Sequence, residues 1–245
     1  MTSETPESKT HASQRPEVPD TSEAAAVWDE RYSDADRVWS GEPNGALIAE
    51  VADAPPGTVL DVGCGEGADA VWLAQRGWDV TALDVSGVAL ERGKQAAAEA
   101  GVDVRWLHSG MVEAQLPEAG FDLVSAQYPA IPRTPDHDAE LALLAAVAPG
   151  GTLLFVHHAS FGSQPEDQAH GSEGHGHGHG DGHEGEQHGD GRGVDPTDYV
   201  GPADMVAQIG DGWQIETHEV RDRNIQGGAG AHHHEDIVVR AHRLA

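Results

Sequence analysis

Lysine is almost missing from this chain: of 245 residues only Lys9 and Lys94 are lysines. With 14 Lys and Arg against 42 Asp and Glu, the formal charge is −28. Such a field repels phosphate backbones and anionic membrane surfaces, which disfavours nucleic-acid and membrane partners. Cysteine is scarcer still. Cys64 is the only one, so no intrachain disulfide forms and nothing calls for an oxidising compartment. No apolar run approaches the roughly 18 residues that a membrane span needs. The N-terminus is polar and acidic where a secretory signal would be basic and then apolar. These absences lead to the expectation of a cytoplasmic protein. The length suits one substantial domain with a full core plus tails or insertions.

Against this background one stretch concentrates information. Val59-Leu60-Asp61-Val62-Gly63-Cys64-Gly65-Glu66-Gly67 is an apolar run ending in an acid and then three glycines at alternate positions. The Val59-Leu60 segment reads as a buried parallel strand and residues 68–74 as the helix that follows it. Glycines at such a turn let backbone approach a ligand closely, with a helix N-terminus behind it.

The flanking chain falls into recognisable parts. Residues 1–22 are rich in Ser, Thr, Pro and Glu without periodicity, and are expected to be a disordered tail. Residues 23–55 read as an N-terminal helical lid, with Trp28 and Tyr32 on one helix face, then Trp39, and Asn44 as the cap of a second helix. Packing against the domain and covering a ligand are both open for these aromatic residues. Residues 56–245 read as one α/β domain. Strands are expected at 79–84, 102–107, 121–127 and 152–157, alternating with helices as a doubly wound parallel sheet requires. Ser86 is the expected N-cap and Gly101 the stop of one helix, and Thr134-Pro135 opens another. A helix near 202–209 precedes strands at 213–220 and 236–241, which are joined too closely for a crossover and so should be antiparallel. Residues 162–197 interrupt this order with a His- and Gly-rich insertion that carries hardly an apolar side chain and cannot belong to a core.

Asp84, at the end of the second strand, falls seventeen residues after Gly67, where a carboxylate accepts ribose hydroxyls. Together the turn and this acid indicate an adenosine-containing cofactor. The loose G-x-G-x-x-A form is shared with dinucleotide enzymes, so a nicotinamide dehydrogenase is one alternative. Asp61 argues against a pyrophosphate and for an ammonium or sulfonium group beside the turn.

At this point the sequence resembles a known family. Asp61-Val62-Gly63-Cys64-Gly65-Glu66-Gly67, Asp84, Phe121-Asp122-Leu123-Val124 and Ala148-Pro149-Gly150-Gly151-Thr152-Leu153 resemble the successive motifs of class I S-adenosylmethionine-dependent methyltransferases. The resemblance covers residues 24–160 and, more weakly, 198–243. It implies a Rossmann-like seven-stranded sheet of order 3-2-1-4-5-7-6 with strand 7 antiparallel. It also implies that S-adenosyl-L-methionine is held by Asp61, Gly63, Cys64, Gly65 and Gly67 at its methionine part. Asp84 and Val85 would lie at the ribose, Gly110, Met111 and Val112 at the adenine, and Gln127 would close the site. Met111 stands where many members carry an acid, which leaves adenine recognition to backbone groups or Glu113. Trp28-Asp29-Glu30-Arg31-Tyr32 and Trp39-Ser40-Gly41-Glu42-Pro43 resemble the lid of the small-molecule branch that includes thiopurine, thiol and tellurite methyltransferases. The expected reaction is methyl transfer to a small acceptor such as a thiol, a metalloid or another xenobiotic. Tyr128, His157 and His158 are the catalytic candidates at the strand tips.

The histidines support a rival from another class. His175, His177, His179 and His183 in the insertion, with His157, His158 and His232-His233-His234 in neighbouring loops, suggest Zn, Ni or Cu binding on a flexible chain. Their spacing fits no defined site. A metal-binding or metal-buffering protein on a methyltransferase fold is therefore the alternative function. Oligomeric state is not legible.

Overall fold

The computed structural model describes residues 21–161, 196–223 and 233–245. Two helices lead, α1 (Thr21–Ser33) and α2 (Gly45–Val51). The sheet then begins with β1 (Thr58–Val62), α3 (Ala68–Gln75), β2 (Asp79–Asp84), α4 (Gly87–Ala100) and β3 (Arg105–His108). It continues with β4 (Phe121–Gln127), α5 (Asp138–Ala146), β5 (Val147–His158), α6 (Pro202–Gln208), β6 (Trp213–Asp222) and β7 (Glu235–Arg243). The sheet has seven strands in the order β3-β2-β1-β4-β5-β7-β6. β1 to β5 are mutually parallel, and β7 runs antiparallel to both β5 and β6. The expected order and the reversed seventh strand are therefore both present.

Period-2 alternation explains why β1 carries apolar residues at successive positions. Leu60 and Val62 join the core layer that holds Phe155, Leu143 and Met205, while Val59 joins the opposite layer with Leu73, Val80 and Leu47. Each such side chain contributes about 1.5–3 kcal/mol when fully buried. A strand covered on both faces leaves its carboxyl end as the place where loops and ligands gather. Among the described residues no helix is long and apolar enough to cross a membrane.

Several boundaries differ from the sequence reading for local reasons. Asn44 occupies the N-cap position of α2, yet its side chain makes no capping bond, because its amide donates to Asp69 Oδ2 at 2.7 Å instead. α5 starts at Asp138 and not at Thr134. The Thr134 hydroxyl accepts from the Asp138 N–H at 2.8 Å, and Thr134-Pro135 forms the turn before the helix. β5 starts at Val147, ahead of the proline-glycine-glycine stretch, because Val147 pairs with Phe121 across a register shift in β4. Ser86 does cap α4, accepting from Ala89 N–H at 3.1 Å, and Gly101 ends that helix in the left-handed region. The expected tail and the His-rich insertion fall almost wholly outside the described residues.

Candidate functional site

The turn between β1 and α3 is drawn against β2 by backbone bonds. Gly63 N–H and Cys64 N–H both donate to Leu83 O, at 2.8 and 3.1 Å. Gly63 and Gly65 have φ of 69° and 52°, a region that glycine enters without strain. Asp84 fastens the two strand ends together, its Oδ2 accepting from Gly65 N–H and its Oδ1 from Ser86 N–H, each at 2.8 Å. Gly67 has a different task. A Cβ there would lie 2.7 Å from the Trp106 ring and 3.1 Å from Gly93, so this glycine lets helix, strand and turn pack.

Beneath the turn lies a group of buried carboxylates. Asp61 is buried, and its Oδ2 has no hydrogen-bond partner among the described residues. Burial pushes its carboxyl well above the ordinary value, and the neighbouring charges of Asp69 and Asp84 push it further. Asp69 and Asp84 are themselves raised by burial, with hydrogen bonds from Asn44 and from the Ser86 and Gly65 backbone opposing the effect. Burial, then Asp84 and Asp61, also raise the Cys64 thiol, so it stays protonated and is no nucleophile. Desolvated carboxylates crowded this way favour a cation among them. On the opposite wall Gln127 donates to Ser125 Oγ at 3.0 Å, and its Oε1 has no partner among the described residues.

The N-terminal helices close over this wall through four polar attachments. Asp29 accepts from Ser86 Oγ at 2.6 Å and from Val88 N–H at 3.1 Å, placing an anion at the N-terminus of α4. Arg92 donates to the carbonyls of Tyr32 and Ala35, both at 2.6 Å, and pairs with Glu66 at 2.9 Å. Glu66 accepts the N–H groups of Val38 and Trp39, at 3.3 and 3.1 Å. Asp69 receives Asn44 N–H at 2.7 Å. Trp39 Nε1 donates to the Tyr32 hydroxyl at 2.8 Å, and this pair sits on Gly65, where a Cβ would come within 2.8 Å of the hydroxyl. A side chain at Gly65 would therefore displace the Tyr32–Trp39 pair.

The other end of the cavity is made by the tips of β4, β5 and β7. Tyr128 leaves β4 with φ 51° and donates its hydroxyl to Asp236 Oδ2 at 2.7 Å. Its ring stacks on His158 at 4.4 Å, and His158 stacks in turn on His233 at 3.8 Å. The Arg223 guanidinium lies 4.6 Å over the Tyr128 ring, with Nε 3.7 Å from Asp236 Oδ1. His157 Nδ1 accepts from His158 N–H at 3.0 Å, while the Pro129 backbone binds the ring as well. Burial, and then the neighbouring His158, lower the pKa of His157 to about 3. Burial and the bond to Asp236 push the Tyr128 phenol up. Near neutral pH the His157 imidazole is too weakly basic to take a proton from an acceptor, and the Tyr128 phenol keeps its own. The loop after Tyr128 is pinned by a bridge between Pro132 and Tyr199, which adds a further aromatic wall.

Residues 59–151 match the family model described as a methyltransferase domain. That match spans the glycine turn and the strands β1 to β4. Over residues 59–151 the chain is similar to a methyltransferase domain, carried on a seven-stranded sheet of order β3-β2-β1-β4-β5-β7-β6. It is similar to an uncharacterised methyltransferase of Mycobacterium tuberculosis, 44% identical over 105 residues that make up 42% of this chain and 52% of the relative. A probable chloroplastic tocopherol O-methyltransferase of Oryza sativa is 30% identical over 157 residues, 61% of this chain and 42% of the relative. The chain thus spans about half the length of these relatives. Among solved structures, one titled for conversion of a disulfide bond into a thioacetal group during echinomycin biosynthesis aligns with a TM-score of 0.64 at 22% identity. That alignment covers 90% of this chain and 92% of that one. The N-methyltransferase NodS of Bradyrhizobium japonicum, in complex with S-adenosyl-L-homocysteine, aligns with a TM-score of 0.56 at 15% identity, covering 88% and 87%. These likenesses establish the fold.

The carboxyl edge of the sheet and the N-terminal helices line an open cavity of about 1060 Å³. Of the expected cofactor residues, Trp28, Tyr32, Trp39, Asp61, Gly63, Cys64, Gly65, Asp84, Val85, Gly110, Met111, Val112 and Gln127 line it, and Gly67 does not. Tyr128, His157 and His158 line it from the other end. The partnerless oxygens of Asp61 and Gln127 fit a ligand that brings hydrogen-bond donors and a positive charge. Glu113 also lines the cavity, folded back so that a Cβ on Gly110 would meet its Oε2. The candidate ligands His175, His177, His179 and His183 lie outside the described residues. Among the described residues no group of three His, Cys, Asp or Glu side chains is placed to hold a metal ion. Reasoning from the sequence missed Asp29, Asp69, Arg92, Phe161, Tyr199, Arg223 and Asp236. Asp29 sat inside the quoted lid segment, whereas Arg223 and Asp236 carried no local signal.

Proposed function

We propose that this protein is an S-adenosylmethionine-dependent methyltransferase acting on a small-molecule acceptor. The observation that carries the reading is Asp61, a buried carboxylate with a partnerless oxygen and a raised pKa, facing the cavity between the glycine turn and the aromatic lid. The cofactor's amino group would meet Asp61, its ribose Asp84, and its adenine the Gly110-Met111-Val112 segment. When bound, it supplies an electrophilic methyl group on a sulfonium. The chain's own part is to hold and desolvate. Tyr32 and Trp39 seal the turn from water, and aromatic faces near a cation attract it by about 0.5–2 kcal/mol. Alignment of donor and acceptor contributes most of the acceleration, since effective molarities in oriented systems reach about 10⁵ M or more. The same lid over the cavity favours a small acceptor. With His157 weakly basic and Tyr128 held protonated, the site favours an acceptor that arrives ionised or soft, such as a thiol or a metalloid.

Calorimetry with S-adenosyl-L-homocysteine, followed by methyl transfer to a panel of thiols, phenols and tellurite, tests the reading. Saturable cofactor binding and turnover of at least one small acceptor are expected. No binding at millimolar cofactor would overturn it.

A further inference from the structure

Charge is spread unevenly over the cavity. The lid end carries both signs, among them Asp61, Glu66, Asp84, Arg31, Arg37 and Arg92. From Tyr128 onward Arg223 is the one Lys, Arg, Asp or Glu among the described lining residues, and its charge is already answered. The Arg223 and Asp236 side chains are 8% and 6% exposed, with Asp236 Oδ1 3.7 Å from the Arg223 Nε. The Tyr128 hydroxyl donates to the other oxygen of Asp236 at 2.7 Å and is bonded by Arg223 as well. His157 spends both ring nitrogens inside the protein, since Nδ1 accepts from His158 N–H and Nε2 is left to donate to the Pro129 carbonyl. The rest of this wall is carbon. In Pro129-Ala130-Ile131-Pro132 the two prolines have no N–H, Ile131 O is taken by Val200 N–H at 2.8 Å, and the next N–H, that of Arg133, goes to Asp198 O at 2.8 Å. Phe161 adds a ring 3.5 Å from that of His157.

We infer that Asp236 is a specificity determinant: by neutralising Arg223 it makes the acceptor end of the cavity select an uncharged molecule with an apolar body. This rests on the methyltransferase reading and narrows it. Of the ionised or soft acceptors which that reading allows, a soft and neutral one such as a lipophilic thiol is taken, and an oxyanion is refused. A charge brought to this wall would lose its water and find Arg223 already answered, whereas an apolar body gains by covering carbon. Asp236 does not line the cavity, so it is a positioning residue that acts through Arg223.

The test uses the full chain saturated with S-adenosyl-L-homocysteine and three thiols of similar length, butanethiol, 3-sulfanylpropanoate and 3-sulfanylpropan-1-amine, titrated by calorimetry near neutral pH. Butanethiol is expected to bind about tenfold or more tightly than either charged probe, because an ion placed in a dry site without a partner is heavily penalised. The amine is the sharper control, since the field of a chain with charge −28 would by itself draw it in. Asp236→Asn keeps an acceptor for the Tyr128 hydroxyl but uncovers the Arg223 charge, so it should tighten 3-sulfanylpropanoate about tenfold and leave the other two where they were. A merely structural Asp236 would weaken all three alike. Wild-type binding of either charged probe as tight as that of butanethiol, or no binding of butanethiol at millimolar concentration, would overturn the inference. So would an Asp236→Asn variant, shown to be folded by its cofactor affinity, in which the anion gains nothing. Asp236→Ser repeats the test should the first variant fail to fold, and the wild-type order decides the neutral selection in either case. Absent cofactor binding would overturn the methyltransferase reading instead, with the probe order still measurable on the unliganded chain.

Discussion

At the glycine turn the cavity wall is backbone and buried carboxylate, whereas at the tips of β4, β5 and β7 it is ring, imidazole and guanidinium. The first wall is assembled from residues 61–84, within one β-α-β unit. The second joins Tyr128 to Asp236, 108 positions apart. The difference is instructive because, in the proposed reading, the two ends would meet different ligands. A cofactor shared by many enzymes suits a wall built from one compact local unit. An acceptor particular to one enzyme suits a wall made by loops that the sheet merely brings together.

Asp61→Asn should break the comparison most strongly. Removing a charge that, in the proposed reading, would meet an ammonium group costs about 1.5–3 kcal/mol, so cofactor affinity is expected to fall about 10- to 150-fold by calorimetry. The ligand-free protein should melt higher at pH 8, by about 2–4 °C for each kcal/mol of relieved repulsion, since one desolvated carboxylate has left the group. A variant that loses both affinity and stability would mean that Asp61 is structural. Next comes Glu66→Ala, which deprives Val38 and Trp39 of their acceptor and Arg92 of its partner. Cofactor affinity should drop about tenfold, in line with one or two lost bonds to a charged group. Amide exchange should accelerate across 33–43 while the β1 and β4 amides keep their protection.

The pH dependence separates the ends without mutation. Because the folded pKa of Asp61 is raised, the native state holds a proton that the unfolded chain has already released. Stability from this group is complete below the unfolded carboxyl value and is lost as pH rises through the raised one. Cofactor affinity should run the opposite way, strengthening with pH by at most about tenfold per unit as the carboxylate forms. Asp61→Asn should flatten both slopes. His157 has the opposite sign, with a folded pKa of about 3 against an unfolded value of about 6.5. The stability tied to it is present above the unfolded value and is lost as pH falls from about 6.5 toward 3. His157→Phe should therefore weaken the acid limb of the melting curve, the smallest of these effects; an unchanged limb would show that His157 stays charged in the fold.

Much of the frame was legible because it is periodic or local. Alternating strands and helices, the glycine turn, Asp84 and the Ser86 cap each declare themselves within a few residues. Asn44 misled, because a cap and a side-chain partner for Asp69 look alike in sequence. The start of β5 misled because Val147 enters the sheet through a register shift that only its neighbour, Phe121, imposes. Gly67 shares a motif with two cavity-lining glycines, yet serves packing against Trp106 and Gly93.

By itself the sequence determined the doubly wound core and the end of the cavity where Asp61 and Asp84 wait, because both follow from spacing within one chain segment. Only the tertiary structure decided the rest. Burial and crowding of carboxylates set the proton of Asp61, and sheet order carried Arg223 and Asp236 to Tyr128. Whether an acid is raised, a histidine is silenced or a guanidinium faces a cavity depends on what is packed around it, and those neighbours come from distant parts of the chain.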